Sequence, residues 1–172
     1  MKNIYRRYAL ATAALEFKPI ASSSLTSLQS LRQNFGNLCE PVRSAKYIDW
    51  RLLASPDRDK YFIVSLNGNP ETKAVIKKRD EKLIELLWVP DPKPESLIPL
   101  IAKLGLWCFE NDYAYLRFYT TDPKLSQSLR KSLKPVIRNP RFAFYAKDQS
   151  LMERLKKARW HWELIDSDFE FV

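Results

Sequence analysis

The chain is poor in glycine, histidine and cysteine: its 172 residues include three Gly, one His and two Cys. Three glycines beside eleven prolines argue against a Gly-rich phosphate-binding loop. Cys39 and Cys108 stand far apart, so no Cys/His spacing indicates a metal site, and reduced thiols of a cytoplasmic protein are the simplest interpretation. No segment approaches the ~20 apolar residues of a transmembrane helix, so we expect no membrane span.

The composition is that of a globular protein, with 45% hydrophobic and 13% aromatic residues. A chain of this length is typical of one domain that buries ~70% of its unfolded surface. The start resembles a signal peptide only faintly, because the apolar run 8–15 is short and Glu16 ends it. We therefore expect a single domain over 1–172, with residues 1–13 leading into it.

The positive charge is concentrated in one segment. Between Lys124 and Arg159, eleven Lys and Arg face only Asp148 and Glu153, and this excess equals the net charge of +9 of the whole chain. We call residues 124–159 the basic segment. Such a segment could bind an anionic partner (a phosphorylated ligand, nucleic acid or a membrane surface), or it could be a solvated surface.

Residues 42–64 carry the most informative pattern. Ser44 is a good N-cap for a helix over 44–54. Helical spacing places Tyr47 over Arg51 and Ile48 over Leu52, and it predicts that Trp50 and Leu53 widen the apolar side. Pro56 closes this helix, and the aromatic and β-branched run from Tyr61 to Val64 predicts a strand.

The rest of the chain alternates between strand and helix patterns. Asn67 to Pro70 is a hairpin signal, and residues 82–89 are apolar on both faces apart from Glu85, which is typical of a central strand. Pro99 fits a helix only in its first turn, which predicts Ser96 as the N-cap. The further predicted strands are 14–20, 61–66, 73–78, 113–119, 141–147 and 160–165, and the further helices are 25–35, 97–109, 124–133 and 150–158.

These patterns resemble a known family. Arg43, Tyr47, Ile48, Trp50, Arg51, Pro56 and Tyr61 resemble a motif in the C-terminal domain of a bacterial branch of the GNAT N-acyltransferase superfamily, often attached to polysaccharide and cell-envelope synthesis. The order of the elements and the ending Trp162-x-Leu-x-Asp166-Ser167-Asp168 are similar to the same branch. The resemblance spans about residues 14–168. It implies an α/β (α+β) fold with a mixed, mostly antiparallel central sheet flanked by helices on both faces.

The resemblance also implies sites. The backbone of Leu87, Trp88 and Val89 would receive the pantetheine of an acyl-CoA beside a fourth strand that opens into a slot. The family's Arg/Gln-x-x-Gly-x-Gly/Ala turn is absent, and Pro90 to Ser96 replaces it, so Lys93 and the helix start at Ser96 are the candidate anion ligands.

The same resemblance also implies candidate catalytic and acceptor-binding residues. Glu85 could accept the amine proton, or it could be a surface carboxylate paired with a lysine. Tyr115 is the candidate proton donor, and Asp166 and Asp168 could bind a substrate amine or form a solvated tail. The candidate acceptor-binding residues, of which the first two could simply be core, are Tyr47, Trp50, Arg51 and Tyr61.

Three functions remain open at this point. The chain could acylate a small-molecule amine in polysaccharide or cell-envelope synthesis. It could instead be a degenerate, non-catalytic GNAT-like domain used for interaction. It could also be a relative of the Fem-type transferases, which use aminoacyl-tRNA, with the basic segment binding RNA.

Overall fold

The computed structural model describes residues 14–21, 44–67, 69–90, 93–133, 135–136 and 147–158. Three predicted elements, the helix 25–35 and the strands 141–147 and 160–165, lie wholly or almost wholly outside these residues. Arg43, Asp166 and Asp168 lie outside them as well, so their predicted roles stay predictions.

Five strands form one sheet in chain order. They are β1 (Leu15–Pro19), β2 (Tyr61–Leu66), β3 (Asn69–Lys78), β4 (Leu83–Trp88) and β5 (Tyr115–Phe118). The first four strands are antiparallel to their neighbours, and β5 is parallel to β4. The predicted α/β class with a mixed, mostly antiparallel sheet is therefore confirmed. The hairpin signal is confirmed too, because Leu66 pairs with Asn69 at the turn between β2 and β3.

Four helices accompany the sheet in the described part of the chain. They are α1 (Ala45–Ile48), which continues as a π-helical turn (Asp49–Leu53), α2 (Pro94–Glu110), α3 (Pro123–Leu133) and α4 (Gln149–Lys157); a 3-10 turn (Arg58–Lys60) precedes β2. Ser44 caps α1 as predicted, since its hydroxyl accepts from the backbone N–H of Tyr47 at 3.2 Å. None of these helices has the length and apolar composition needed to cross a membrane.

The start of α2 differs from the prediction. The helix begins at Pro94 with Lys93 at the N-cap position, so Ser96 is not the N-cap. Proline suits the first helical position, because the N–H that it lacks would have no partner there. As a consequence Pro99 lies inside the helix and not in its first turn.

Trp50 also departs from the prediction. Its side chain is 61% exposed, whereas Ile48 and Leu52 are buried. At about 100° per residue Trp50 lies on the opposite side of the helix from Ile48. Leu53 is half-buried and packs against the core as predicted.

The two faces of the sheet carry separate cores. One face packs against α2 and α3 through alternate residues such as Val64, Ile76 and Ile84. On the other face Ile63, Val75 and Leu87 pack against Ile48 and Leu52. We call the latter the α1 face. β4 contributes to both cores and is almost fully buried from Ile84 to Trp88, as expected for a central strand.

Candidate functional site

A row of polar side chains crosses the α1 face of the sheet. The strand register places Tyr61 opposite Lys77, Lys77 opposite Glu85, and Glu85 beside Arg117. Side chains alternate along a strand, so these four residues share a face with Ile63, Val75 and Leu87. Glu85 is 0% exposed and Lys77 only 2% exposed. Two charges are therefore buried side by side in the middle of the sheet.

Glu85 is held by two guanidinium groups through one oxygen. Its Oε1 forms ion pairs with Nη2 of Arg117 and with Nη1 of Arg79, the latter at 3.5 Å. Its Oε2 is buried and has no hydrogen-bond partner in the described part of the chain. A carboxylate can accept about four hydrogen bonds, so Oε2 is an unused acceptor. Buried polar atoms without a partner are rare in folded proteins, and this one marks a candidate ligand position.

Lys77 has its own carboxylate. Its Nζ lies 3.0 Å from Oδ2 of Asp57, while Oδ1 of Asp57 lies 2.8 Å from Nζ of Lys60. The hydrogen bond from Lys60, and then that from Lys77, lowers the pKa of Asp57, and the bond with Asp57 raises the pKa of Lys60. Lys77 also lies over the ring of Tyr61 at 5.2 Å. These contacts hold the loop before β2 against the last residues of β3.

The pairing of β4 with β5 ends one residue beyond Glu85. Their parallel pairing ends at Leu86 and Phe118, while β4 continues along β3 as far as Trp88. Between the pairs formed by Leu86 and Trp88, Leu87 has no counterpart on β3, which is a β-bulge. Such bulges bend a strand and end its pairing. The pairing of the central strand with β5 therefore ends at the position where the resemblance implied a slot, and the slot itself stays a prediction.

The residues predicted to bind the donor lie on β4, just after it and at the start of α2. The side chains of Leu87, Trp88 and Val89 are buried in the two cores, so only their backbone could contact a donor. At the start of α2 Pro94 has no N–H, and the N–H groups of Ser96 and Leu97 donate to the Lys93 carbonyl at 3.2 and 2.9 Å. The hydroxyl of Ser96 donates to the same carbonyl. This helix start does not fit a diphosphate bound by backbone amides.

Of the residues predicted to bind the acceptor, Tyr47, Arg51 and Tyr61 are at least partly buried, whereas Trp50 is largely exposed. Tyr47 and Tyr61 pack in the core of the α1 face, and Arg51 is buried. Trp50 contacts Tyr47 with ring centroids 5.9 Å apart but is otherwise exposed. Tyr115, the predicted proton donor, is 67% exposed and precedes Arg117 by two residues on β5, hence on the α1 face.

Sequence reasoning missed the partners of Glu85. Lys77 comes two residues after Val75 on β3, and alternate residues of a strand share a face. The sequence could therefore have predicted that Lys77 lies on the same covered face as Val75. The contacts of Arg79 and Arg117 with Glu85 could not be predicted in this way, because they depend on how β3 and β5 pair with β4.

Two open pockets lie at opposite ends of the β4–β5 pair. The first has a volume of about 520 Å³ and is lined by Asp80, Glu81, Lys82, Leu83 and Tyr115. We call it the strand-start pocket. The second, the strand-end pocket of about 480 Å³, is lined by Thr120, Thr121, Pro123, Ser126, Gln127 and Arg130.

In its described residues the chain is thus a mixed α/β protein, and the charged row of its sheet includes the buried Lys77 and Glu85. The same residues contain no cluster of His, Cys, Asp and Glu suited to a metal ion. Comparisons with protein-family models, with curated proteins and with solved structures find no match for this chain.

Proposed function

We propose that the chain is a GNAT-like N-acyltransferase domain that transfers an acyl group from an activated donor to a small-molecule amine. The observation that carries this proposal is that the pairing of the parallel strands β4 and β5 ends directly beyond the buried Glu85. Carboxyl ends of neighbouring parallel strands, each followed by a helix, are a common place for ligands to bind. Here α2 follows β4 and α3 follows β5.

Glu85 is the group that supports amine chemistry. It lies one residue before the strands part, and its Oε2 has no partner among the described residues. A carboxylate in this position can accept a hydrogen bond from an amine and then take its proton as the amide bond forms and the bond between the acyl group and the leaving group of the donor breaks. Tyr115 lies on the same face and stays the candidate proton donor.

The donor must be bound differently from the pattern that the resemblance implied. The start of α2 is a poor diphosphate site, because Pro94 has no N–H and the N–H groups of Ser96 and Leu97 already donate to the Lys93 carbonyl. The strand-end pocket offers hydroxyl groups, an amide and Arg130 instead. We therefore propose the donor only as an activated acyl group, and acyl-CoA is the probe that tests it.

A non-catalytic, GNAT-like interaction domain is the second candidate. The observation in its favour is that two arginines already neutralise Glu85 and cover it completely. In this interpretation the charged row is a structural element of the sheet and binds no substrate.

The RNA-binding alternative has weaker support. Lys124, Arg130 and Lys131 of α3 are exposed, as are the basic residues of α4. However, the last turns of these helices hold Arg130, Lys131, Arg154, Lys156 and Lys157. Basic side chains at that end stabilise a helix through its dipole, which gives much of the basic segment a structural reason.

A thermal-unfolding titration separates the three candidates. A ligand that binds only the folded chain raises its free energy of unfolding, by about 2.7 kcal/mol at one hundred times its Kd. We expect acetyl-CoA or a longer acyl-CoA to stabilise the chain at 150 mM salt. Stabilisation by tRNA alone, lost as salt rises, would favour the RNA alternative. If no probe stabilises the chain, the non-catalytic candidate stands.

A further inference from the structure

The strand-end pocket is lined by hydrogen-bond donors, and none of the residues that line it is acidic. Its donors are the hydroxyl groups of Thr120, Thr121 and Ser126, the side-chain amide of Gln127 and the guanidinium of Arg130. A guanidinium only donates, and the hydroxyl groups beside it are able to donate as well. The pocket volume of about 480 Å³ is in the range of small-molecule sites. The lining therefore favours a ligand that accepts hydrogen bonds.

Arg130 gives the pocket its positive charge. Its side chain is exposed, and the ion pairs found among the described residues do not include it. A guanidinium pairs with an oxyanion through two parallel N–H groups at once. A ligand anion in the pocket would therefore meet a cation that no carboxylate of the described residues neutralises.

The helical spacing of α3 brings a second donor next to Arg130. Ser126 precedes Arg130 by four residues, so the two side chains are neighbours on the helix surface. Leu125 and Leu129 are buried and fix which side of α3 faces the core. Lys131 is exposed and basic like Arg130, but it does not line the pocket. The helix thus turns one of its two last basic residues toward the pocket lining and the other away from it.

The first backbone amides of α3 are already used. Oδ1 of Asp122 accepts from the N–H groups of Lys124 and Leu125 at 2.9 and 3.4 Å, and the carbonyl of Asp122 accepts from the N–H of Ser126. An anion in the pocket would therefore be bound by side chains and not by the helix start. The charge of Asp122 opposes an anion nearby, so Arg130 has to outweigh it.

The hydroxyl of Thr120 is prepared to donate. Its Oγ1 accepts from the N–H of Asp122 at 3.1 Å, which leaves its O–H for another acceptor. Thr120 comes two residues after Phe118, the last residue of β5 that pairs with β4. The pocket therefore lies beyond the carboxyl ends of two parallel strands, where ligands of α/β sheets commonly bind.

We propose that the strand-end pocket binds the phosphate group of a small phosphorylated molecule, with Arg130 as its cationic partner and the hydroxyl groups of Ser126 and Thr120 as further donors. A phosphate monoester presents three acceptor oxygens, whereas a carboxylate presents two, so it can accept from all three side chains. The inference goes beyond the proposed function, because it holds whether or not the ligand carries an acyl group.

Four probes test the inference on the full chain: inorganic phosphate, pyrophosphate, acetate and dimethyl phosphate. Side-chain NMR of the arginine Nε–H groups reports binding at Arg130 itself. We expect phosphate or pyrophosphate to bind about tenfold or more tightly than acetate and dimethyl phosphate, because each carries more charge and more free oxygens. Acetate that binds equally well would contradict a phosphate site. Dimethyl phosphate that binds equally well would indicate the backbone of a nucleic acid and contradict a small ligand.

Variants assign the binding to the pocket. Arg130→Gln is expected to weaken pyrophosphate binding about tenfold or more, because it removes a charge-assisted pair of hydrogen bonds. Lys131→Gln is the matched control: it removes the same charge from the last turn of α3, outside the pocket, and should change the affinity less than about twofold. Ser126→Ala changes no charge and should still weaken binding about threefold or more. Circular dichroism establishes that each variant is folded.

The outcomes separate this inference from the proposed function. If Arg130→Gln and Lys131→Gln weaken binding equally, or if Ser126→Ala leaves it unchanged, the anion is attracted by the basic segment in general and the phosphate site is wrong. If pyrophosphate binds through Arg130 and Ser126 while no acyl donor stabilises the chain, the transferase function is wrong and the phosphate site stands. If acetyl-CoA stabilises the chain while no phosphate probe binds at Arg130, the phosphate site is wrong and the transferase function stands.

Discussion

At the scale of single residues, the buried charges decide how the α1 face is held together. Lys77 is almost completely buried, and its carboxylate partner Asp57 is only partly covered, with 40% of its side chain exposed. Removing the partner of a buried charge destabilises a protein more than replacing the charge by an apolar group of similar shape. The pair therefore gives a clear asymmetry to test.

Asp57→Asn is expected to lower the free energy of unfolding at pH 7 by about 1–2 kcal/mol, because the buried Nζ of Lys77 loses its carboxylate partner. Lys77→Met should cost less, and Asp59→Asn, an exposed neighbour, should change stability by less than about 0.5 kcal/mol. Urea unfolding monitored by tryptophan fluorescence measures all three. Equal losses in Asp57→Asn and Asp59→Asn would contradict the role given to Asp57.

The pH dependence of this pair has a defined sign. The hydrogen bonds from Lys60 and Lys77 lower the pKa of Asp57 in the folded chain below its ordinary value of 3.8. The stabilisation is thus complete above pH 3.8 and is lost as the pH falls through the lowered folded-state pKa. The difference between wild type and Asp57→Asn should shrink accordingly in acid. A difference that is constant from pH 7 to the acid end would show that the charge of Asp57 is not its cause.

At the scale of elements, Pro99 lies inside α2, whereas the sequence predicted it in the first turn of the helix. Pro99 is the sixth residue of the helix that begins at Pro94. A proline in the interior lacks the N–H that would bond to the carbonyl four residues earlier, and its ring crowds that carbonyl. Proline at the first position has neither effect.

Pro99→Ala is therefore expected to raise the free energy of unfolding by about 1–3 kcal/mol. Pro94→Ala is the matched control, and we expect it to be neutral or slightly destabilising because proline favours the helix start. Thermal unfolding of both variants measures the effect. If Pro99→Ala were the more destabilising of the two, packing of the Pro99 ring would outweigh the missing hydrogen bond.

The elements also show what the sequence could and could not predict. The strand β2 was predicted with its bounds, since an aromatic and β-branched run lies between turn residues. The start of α2 was misplaced because Lys93 is not a typical N-cap residue, whereas Ser96 is. Glu85 was identified as the acidic residue of a central strand. Its contacts with Arg79 and Arg117 depend on the register between strands far apart in the chain, which local patterns do not contain.

At the scale of the whole molecule, the sheet separates two environments. The face toward α2 and α3 is apolar and accounts for most of the core, whereas the α1 face combines apolar residues with the charged row. Apolar residues of similar volume in place of Glu85 and Lys77 would give a core at least as stable, because buried charges rarely add to stability. Their burial beside the point where β4 and β5 part is the reason to expect chemistry there.

Acyl transfer itself is the most direct test of this account. The wild-type chain is incubated with acetyl-CoA and a mixture of small amines, and mass spectrometry detects the acetylated amine. We expect product above the buffer background, reduced by about 10²-fold or more in Glu85→Gln and unchanged in Glu110→Gln, an exposed control at the end of α2. Product at the buffer level in the wild-type chain, or equal rates in wild type and Glu85→Gln, would contradict the assignment of Glu85 and the parted strands as an acyl-transfer site.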